Sequence, residues 1–318
     1  MKRNILSRYP KVHRLITVMI CFLLNAFDAN SQDTQLNLKY LGCAGWELSN
    51  DKVTVLIDPY ISRLKLGDGP SVSDEDKRKS YMPSDYFESD TALIDKIVGK
   101  VDFILVHHSH FDHLSDVPYI AKKTRAKVVA TETSCNILRA YGIPEQQLIA
   151  VKGGEDYQFD HFSVRILPTL HSPLNDKHYF DSRFYVLENR LKAPLRINEF
   201  VEGGSLMFLV RIDSHQVLTM GSMNFIEREV QGLNPDVILV GANLSRLEIY
   251  KYTDRLLSLT NFPKTVIPTH WDNYRVPYGF SQQSSIETKL YPFKAEVSKA
   301  SPNSKFIIPV HLEKVTIR

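Results

Sequence analysis

The chain reads as an α/β protein, and three features carry that reading. Short apolar runs of strand length alternate with segments of helix length in two places, residues 101–141 and 237–300. Several of the apolar runs give way at once to polar loops that carry histidine. The 318 residues are 43% hydrophobic and 24% charged, enough to bury a sizeable core, and contain no short repeat or low-complexity segment. Both halves share the same strand–loop–helix character, so the expectation is one domain with a sheet in each half.

The first 31 residues read differently. Lys2, Arg3, Arg8, Lys11 and Arg14 precede an apolar run, residues 15–24, which is followed by Ala29-Asn30-Ser31. A basic region, a short apolar core and a small-x-small site form the pattern of a secretory signal peptide. The run is shorter than the about 20 residues that span a bilayer, and Met19-Ile20 before Cys21 makes a poor lipobox. An uncleaved amino-terminal anchor is the alternative. Cleavage after Ser31 removes five basic residues and Asp28 and leaves 34 basic against 35 acidic side chains, from 39 and 36. No basic surface then argues for nucleic acid or for stable membrane insertion. The expected product is an exported chain, periplasmic or secreted, with residues 32–318 as its domain. Of three cysteines, Cys43 and Cys135 remain, which make neither a disulfide framework nor a CxxC metal site.

Residues 36–41 and 46–48 flank the turn Gly42-Cys43-Ala44-Gly45, and residues 53–57 follow Asn50-Asp51, the pattern of successive antiparallel strands. The third strand ends at Asp58-Pro59-Tyr60 and so places a carboxylate at its terminus. Residues 61–100 are less regular, with aromatic Tyr81, Tyr86 and Phe87, and suit a covering segment that borders a pocket. Residues 103–106 form a buried strand, followed by His107-His108-Ser109-His110-Phe111-Asp112-His113. Ser115 reads as the N-cap of a helix over 116–123 with Pro118 in its first turn. A strand at 127–130 and a helix at 134–141, stopped by Gly142 and Pro144, complete this series.

A hairpin about Asp160-His161 joins strands at 158–159 and 162–167, and the second ends at Pro168-Thr169-Leu170-His171-Ser172-Pro173. Residues 179–204 mix Tyr179, Phe180, Phe184, Tyr185 and Phe200 with Arg183, Arg190 and Arg196, as either a packed flap or a recognition surface. Strands at 205–212 and 217–220 flank a turn at Asp213-Ser214-His215, and the second ends at Gly221-Ser222-Met223-Asn224. His161 and His215 read as solvated turn residues. A strand at 237–240, a helix at 246–259, a strand at 265–267 and the loop Pro268-Thr269-His270-Trp271-Asp272 follow. A helix at 286–300 and strands near 306–310 and 314–317 close the chain.

Four imidazoles and a carboxylate within seven residues are not the composition of a core, and a solvated charged loop favours Lys and Glu over His. The run points to metal. In HxHxDH the alternating His108 and His110 point the same way, and Asp112 and His113 reach a neighbouring centre. Two adjacent ions suit that spacing better than one. His107 precedes the motif on the strand and reads as a packing or supporting residue. Asp58 either orients a ligand imidazole or merely ends its strand, and His178 is a candidate for substrate contact.

At HSHFDH (108–113), with YLGCAGWELSN, VTVLIDP, PTLHS, VLTMGS and VIPTHWDNY in support, residues 32–318 resemble the metallo-β-lactamase superfamily. The resemblance implies a four-layer αββα sandwich with a metal site at one edge of its two sheets. Carried over by motif, His108, His110 and His171 hold one ion, and Asp112, His113 and His270 the other. Two Zn²⁺ are expected, with Mn²⁺ or Fe²⁺ as alternatives. Two positions depart from the family pattern. Ser222 stands where many hydrolases of the superfamily place a bridging Asp, and Asn224 or Asp272 either compensates or supports the ligands from behind. Cys43 stands where relatives often carry His; it reads as a small packed residue or else as a pocket-lining thiol.

The mechanism expected is metal-assisted hydrolysis of a small molecule, an ester, lactone or phosphodiester, by a metal-bound hydroxide that Asp112 fixes in place after accepting the proton lost by the water. No GxSxG nucleophile motif is present. The alternatives are a secreted zinc β-lactamase and a metal-binding envelope protein without catalysis.

Overall fold

The computed structural model describes residues 35–67, 76–174, 178–179 and 181–318. The expected signal segment, residues 1–31, lies outside the described residues, and so does the side chain of His178. Alternation of apolar and polar residues around tight turns makes the opening meander. Strands β1 (Leu36–Gly42), β2 (Gly45–Ser49) and β3 (Thr54–Ile57) pair antiparallel, with a register shift between Tyr40 and Gly42. The sheet then turns parallel through β4 (Phe103–Leu105), β5 (Lys127–Thr131) and β6 (Leu148–Val151). Parallel neighbours need crossovers, which helices α1 (Thr91–Ile97), α2 (Phe111–Leu114), α3 (Val117–Thr124) and α4 (Glu132–Ala140) supply.

The second half repeats the plan. Strands β7 (Asp156–Gln158), β8 (Ser163–Thr169), β9 (Ser205–Ile212) and β10 (His215–Met220) pair antiparallel. Strands β11 (Val237–Gly241), β12 (Thr265–Thr269) and β13 (Lys305–Phe306) then add in parallel, with helices α5 (Glu227–Val230), α6 (Tyr252–Leu259) and α7 (Tyr291–Ala300) between them. Strand β14 (Lys314–Ile317) returns to the first sheet beside β1. The sheet orders are β14-β1-β2-β3-β4-β5-β6 and β13-β12-β11-β10-β9-β8-β7, and Leu36–Ile317 form one compact unit.

Strand periodicity explains the layers. In β3, β4 and β5, Val55, Leu105 and Val129 face Val164, Phe208, Leu218 and Ile238 of the other sheet in one apolar cluster. Their neighbours Leu56, Ile104, Val128 and Ala130 point the opposite way and pack with Ile94, Ile120 and Ile137 of the helices. Leu256 and Leu257 of α6 and Phe293 and Val297 of α7 join the first cluster beside the second sheet. The architecture is the αββα sandwich. Among the described residues no helix is long and apolar enough to cross a membrane.

Several local expectations change. Ser115 is not an N-cap: residues 111–114 already wind one helical turn, and Ser115 ends it by donating its hydroxyl to the Phe111 carbonyl. Asp116 takes the cap position of α3 but turns its carboxylate to Ile61 N and Ser62 N, at 2.8 and 2.7 Å. His215 is buried, because Asp213 adopts a left-handed φ of 50° that shortens the turn and draws His215 into β10 opposite Ile212. The last long helix opens with a π-helical turn, Ile286–Leu290, just before Pro292, which has no N–H to continue an α-helical ladder.

The carboxyl ends of β4, β8 and β12 carry the histidine loops, and that of β10 carries Ser222 and Asn224 beside them. Direct bonds tie the sheets together there: Leu206 N to His107 O at 2.9 Å, and Trp46 Nε1 to Thr269 Oγ1 at 3.0 Å. Gly42 fits this edge because its φ of 88° is left-handed and an added Cβ would lie 2.1 Å from Arg63 Nη1. Gly42→Ala is therefore expected to lower the unfolding free energy by about 3 kcal/mol or more in urea titration. Gly99→Ala, where an added Cβ has no atom within 4 Å, should stay within about 1 kcal/mol of the parent. Equal effects at the two positions would contradict this account of the turn.

Candidate metal centre

Buried Asp58 organises the first half of the site. It ends β3 in a left-handed conformation, φ 40°, and receives His107 N at 2.8 Å on Oδ1. Its Oδ2 receives Nδ1 of both His107 and His113, at 2.6 and 2.5 Å. Burial works to raise the Asp58 pKa, but the two imidazoles outweigh it and lower it to about 2. With Nδ1 of His113 donating to this carboxylate, Nε2 is left to act as a ligand. His107 spends its other nitrogen on Thr219 Oγ1, at 2.9 Å, so it supports the loop and offers no ligand.

Two donor clusters result. The first brings together His108, His110 and His171, each offering a nitrogen within 4.8 Å of the others. Their rings stand nearly perpendicular, with centroids 4.7 to 4.9 Å apart, and His108 Nε2 lies 3.0 Å from His110 Nδ1. Burial, followed by neighbouring histidines, pushes the His108 pKa down, and burial followed by His110 lowers that of His171 to about 4. Neutral imidazole is the form that binds metal. The other ring nitrogen of His108, Nδ1, is buried without a hydrogen-bond partner, an orphan that a metal cluster tolerates and a packed core does not.

The second cluster joins Asp112, His113 and His270 with Cys43. Asp112 Oδ2 lies 3.7 Å from His113 Nε2 and 3.4 Å from His270 Nε2. Burial opposes its charge, but His113 and His270 hold its pKa well below the usual carboxylate range. The clusters adjoin, with the rings of His108 and His113 only 3.9 Å apart. All six residues assigned by motif thus lie in two neighbouring groups. A third group among the described residues, Asp58, His107 and His113, is consumed by the hydrogen bonds above.

Ser222 and Asn224 hold the His171 loop from behind. Ser222 Oγ accepts Ser172 N at 2.9 Å and donates to Ser172 Oγ at 3.1 Å, and Asn224 Nδ2 donates to His171 O at 3.2 Å. Asp272 likewise faces away from the donors. Its carboxylate receives Cys43 N (2.8 Å), Tyr40 OH (3.0 Å), Arg63 Nη2 (2.8 Å) and His311 Nε2 (2.9 Å). The sequence reading missed Arg63 and His311. It also missed Asp181, whose Oδ2 lies 3.7 Å from His110 Nε2 and 2.9 Å from Arg183. Arg63 and His311 sit more than 200 and about 40 positions from Asp272, with no local pattern to mark them.

A cavity of about 400 Å³ opens over both clusters. Phe111, Ile197, Phe200, Met223 and Tyr274 give it apolar walls, and Arg183, Asn198 and Arg275 add polar groups. Residues 181–200 thus border the site. A second cavity, about 540 Å³, shares Tyr274 and Arg275 but contains none of the six donors.

The depressed His171 pKa gives a signed expectation. Between about pH 6.5, where an unfolded histidine titrates, and about pH 4, the unfolded chain binds more protons than the folded one. Stability of the metal-free protein should therefore fall as pH drops through that window, by up to about 3 kcal/mol. Urea midpoints of chelator-treated protein at steps from pH 7 to pH 4 read this directly. A flat midpoint across the window would contradict it.

Comparison with known proteins places this geometry. The family model described as a beta-lactamase superfamily domain matches residues 37–270, a span that encloses all six donors. A UPF0173 metal-dependent hydrolase of Rhizobium meliloti is 27% identical over 137 residues, 43% of this chain and 48% of the relative. One from Caldivirga maquilingensis is 31% identical over 140 residues, 42% and 48% of the two chains. The matches span about half the length of these curated relatives. Among solved structures, Igni18, a metallo hydrolase from Ignicoccus hospitalis, aligns with a TM-score of 0.57 at 20% identity over 90% of this chain and 99% of that one. CmlA, a diiron beta-hydroxylase from Streptomyces venezuelae, aligns at 0.54 with 16% identity, over 89% and 54%. These structural likenesses concern the fold. A family match over most of the chain, on two stacked sheets with histidine loops at one edge, makes the protein a member of the metallo-β-lactamase superfamily.

Proposed function

We propose that the protein is an exported, metal-dependent hydrolase that cleaves an ester, lactone or phosphodiester in a small molecule. The observation that carries this reading is the pair of adjoining donor clusters on the floor of one largely apolar cavity. Clusters of this composition fit divalent ions of borderline hardness, zinc first and then manganese or iron. The orphaned Nδ1 of His108 and the low pKa of His171 support that fit. His108, His110 and His171 would hold one ion; Asp112, His113 and His270 the other.

When bound, the ions supply Lewis acidity and bring the pKa of water down toward about 7. The protein's own groups do the rest. Asp112, kept ionised between His113 and His270, accepts a hydrogen bond from the attacking water and so orients it. Asp58 keeps His113 in one tautomer and one orientation. The apolar walls exclude bulk water and suit an acyl or alkyl portion of the substrate, while Arg183, Asn198 and Arg275 offer donors to a carbonyl or phosphoryl oxygen. The fold alone does not choose between hydrolysis and the oxidative chemistry of a diiron relative. Five imidazoles and one carboxylate support the hydrolytic reading, since such a set suits zinc-type ions better than carboxylate-rich diiron surroundings do. Export rests on the pattern at residues 1–31.

Metal analysis of the parent, His110→Ala and His270→Ala proteins tests the assignment. The parent should carry about two equivalents, each variant should lose one or both, and turnover on the best of an ester, lactone, phosphodiester and β-lactam panel should fall at least about 100-fold. Full metal retention in both variants would contradict the ligand assignment. Preference for the β-lactam would favour a secreted β-lactamase, and no turnover with two ions bound would favour a metal-binding envelope protein.

A further inference from the structure

Cys43 is packed in the apolar cluster under the first sheet, and its thiol also faces donors of the second group. Its Sγ lies 3.4 Å from Asp112 Oδ2 and 3.6 Å from His270 Nε2. Asp112 Oδ2 also lies 3.4 Å from His270 Nε2 and 3.7 Å from His113 Nε2. A tetrahedral ion with N and O ligands at 2.0–2.1 Å and sulfur at 2.3 Å sets its donors about 3.3–3.4 Å apart, or about 3.6 Å where sulfur is involved. Four of the six edges of the donor set thus come close to those of one coordination tetrahedron, and all four donor atoms lie within 4.8 Å of one another. Ser222, at the place of the bridging carboxylate, is engaged with Ser172.

The backbone is committed to this placement. Cys43 adopts a left-handed φ of 52°, a conformation that strains a non-glycine residue. Asp272 accepts its N–H, and its carbonyl accepts Tyr40 OH at 2.9 Å, His270 N at 2.6 Å and Thr269 Oγ1 at 3.1 Å. Cys43 and His270, 227 positions apart, are thus locked side by side, and His270 is itself left-handed at φ 56°.

We propose that Cys43 is a ligand of the second ion, so that Cys43, Asp112, His113 and His270 form a closed four-donor site that holds this ion without a bridging carboxylate. This rests on the two-cluster reading above. As the metal–sulfur bond forms, the thiol gives up one proton to solvent. Closing this site leaves the three-histidine cluster as the one short of a fourth protein donor, which is the mark of a catalytic rather than a structural ion.

Cobalt substitution tests the assignment independently of turnover. Protein loaded with two equivalents of Co²⁺ should show a thiolate-to-cobalt charge-transfer band in the near ultraviolet. The band should vanish in Cys43→Ser and persist in Cys135→Ser and Ser222→Ala. Cys43→Ser should bind its second ion at least about 100-fold more weakly and keep the first. Should that variant fail to fold, X-ray absorption at the zinc edge of the parent decides, with sulfur expected at about 2.3 Å. Two bound ions without a sulfur ligand would overturn this inference and leave the hydrolase reading intact. Failure to bind any ion would overturn both.

Discussion

A single buried carboxylate, Asp272, ties the two halves of the site together. Fully withdrawn from water, it is kept ionised by Arg63, with both charged groups inaccessible to solvent. Burial opposes the charge, and Arg63 and His311 outweigh it. Its partners come from β1, from the segment after β3 and from the segment before β14. Removing one member of such a pair strands a charge in a low dielectric and costs about 3–5 kcal/mol. Arg63 is anchored in turn by the carbonyls of Val276 and Asn273, each at 2.7 Å. Around this knot Tyr40, Trp271 and His311 stack with ring centroids 5.3 to 6.2 Å apart. The positions of Cys43 and His270 follow from it.

Asp58 plays the corresponding part in the first sheet. Both carboxylates use their oxygens to fix backbone N–H groups and imidazoles, and neither faces the cavity. The carboxylate among the six donors, Asp112, does face it, between His113 and His270. A site built this way keeps its chemistry separate from its scaffolding. Asp58 and Asp272 fix where the donors stand, and the donors remain available to an ion. The left-handed residues Cys43, Asp58 and His270 are where the chain accepts strain to reach that arrangement.

The fold was largely legible in the sequence because strand and helix periods are local. The period of two through Val55, Leu56 and Ile57 puts Val55 and Ile57 on one face and Leu56 on the other, and the structure shows which face meets the other sheet. The loop from His107 to His113 was legible because donors concentrated at a strand end have few other uses. His171 and His270 became ligand candidates only through family resemblance, since a lone histidine carries no local signal. Cys43 carried no local signal for the same reason, since only the folded chain brings its thiol to within 3.6 Å of His270. Arg63 lay in an apparently ordinary loop, and His311 and Asp181 had no pattern around them. Ser115 shows the limit of cap signals, because a one-turn helix before it reversed its role.

The central claim is that two ions sit side by side, each in its own cluster. Anomalous diffraction at the zinc edge from crystals of the zinc-loaded protein tests it most directly. The account predicts two peaks about 3.5–4 Å apart, one among His108, His110 and His171, the other among Asp112, His113 and His270. A map with density at only one of these positions, or with an ion at Asp58 and His107, would contradict it.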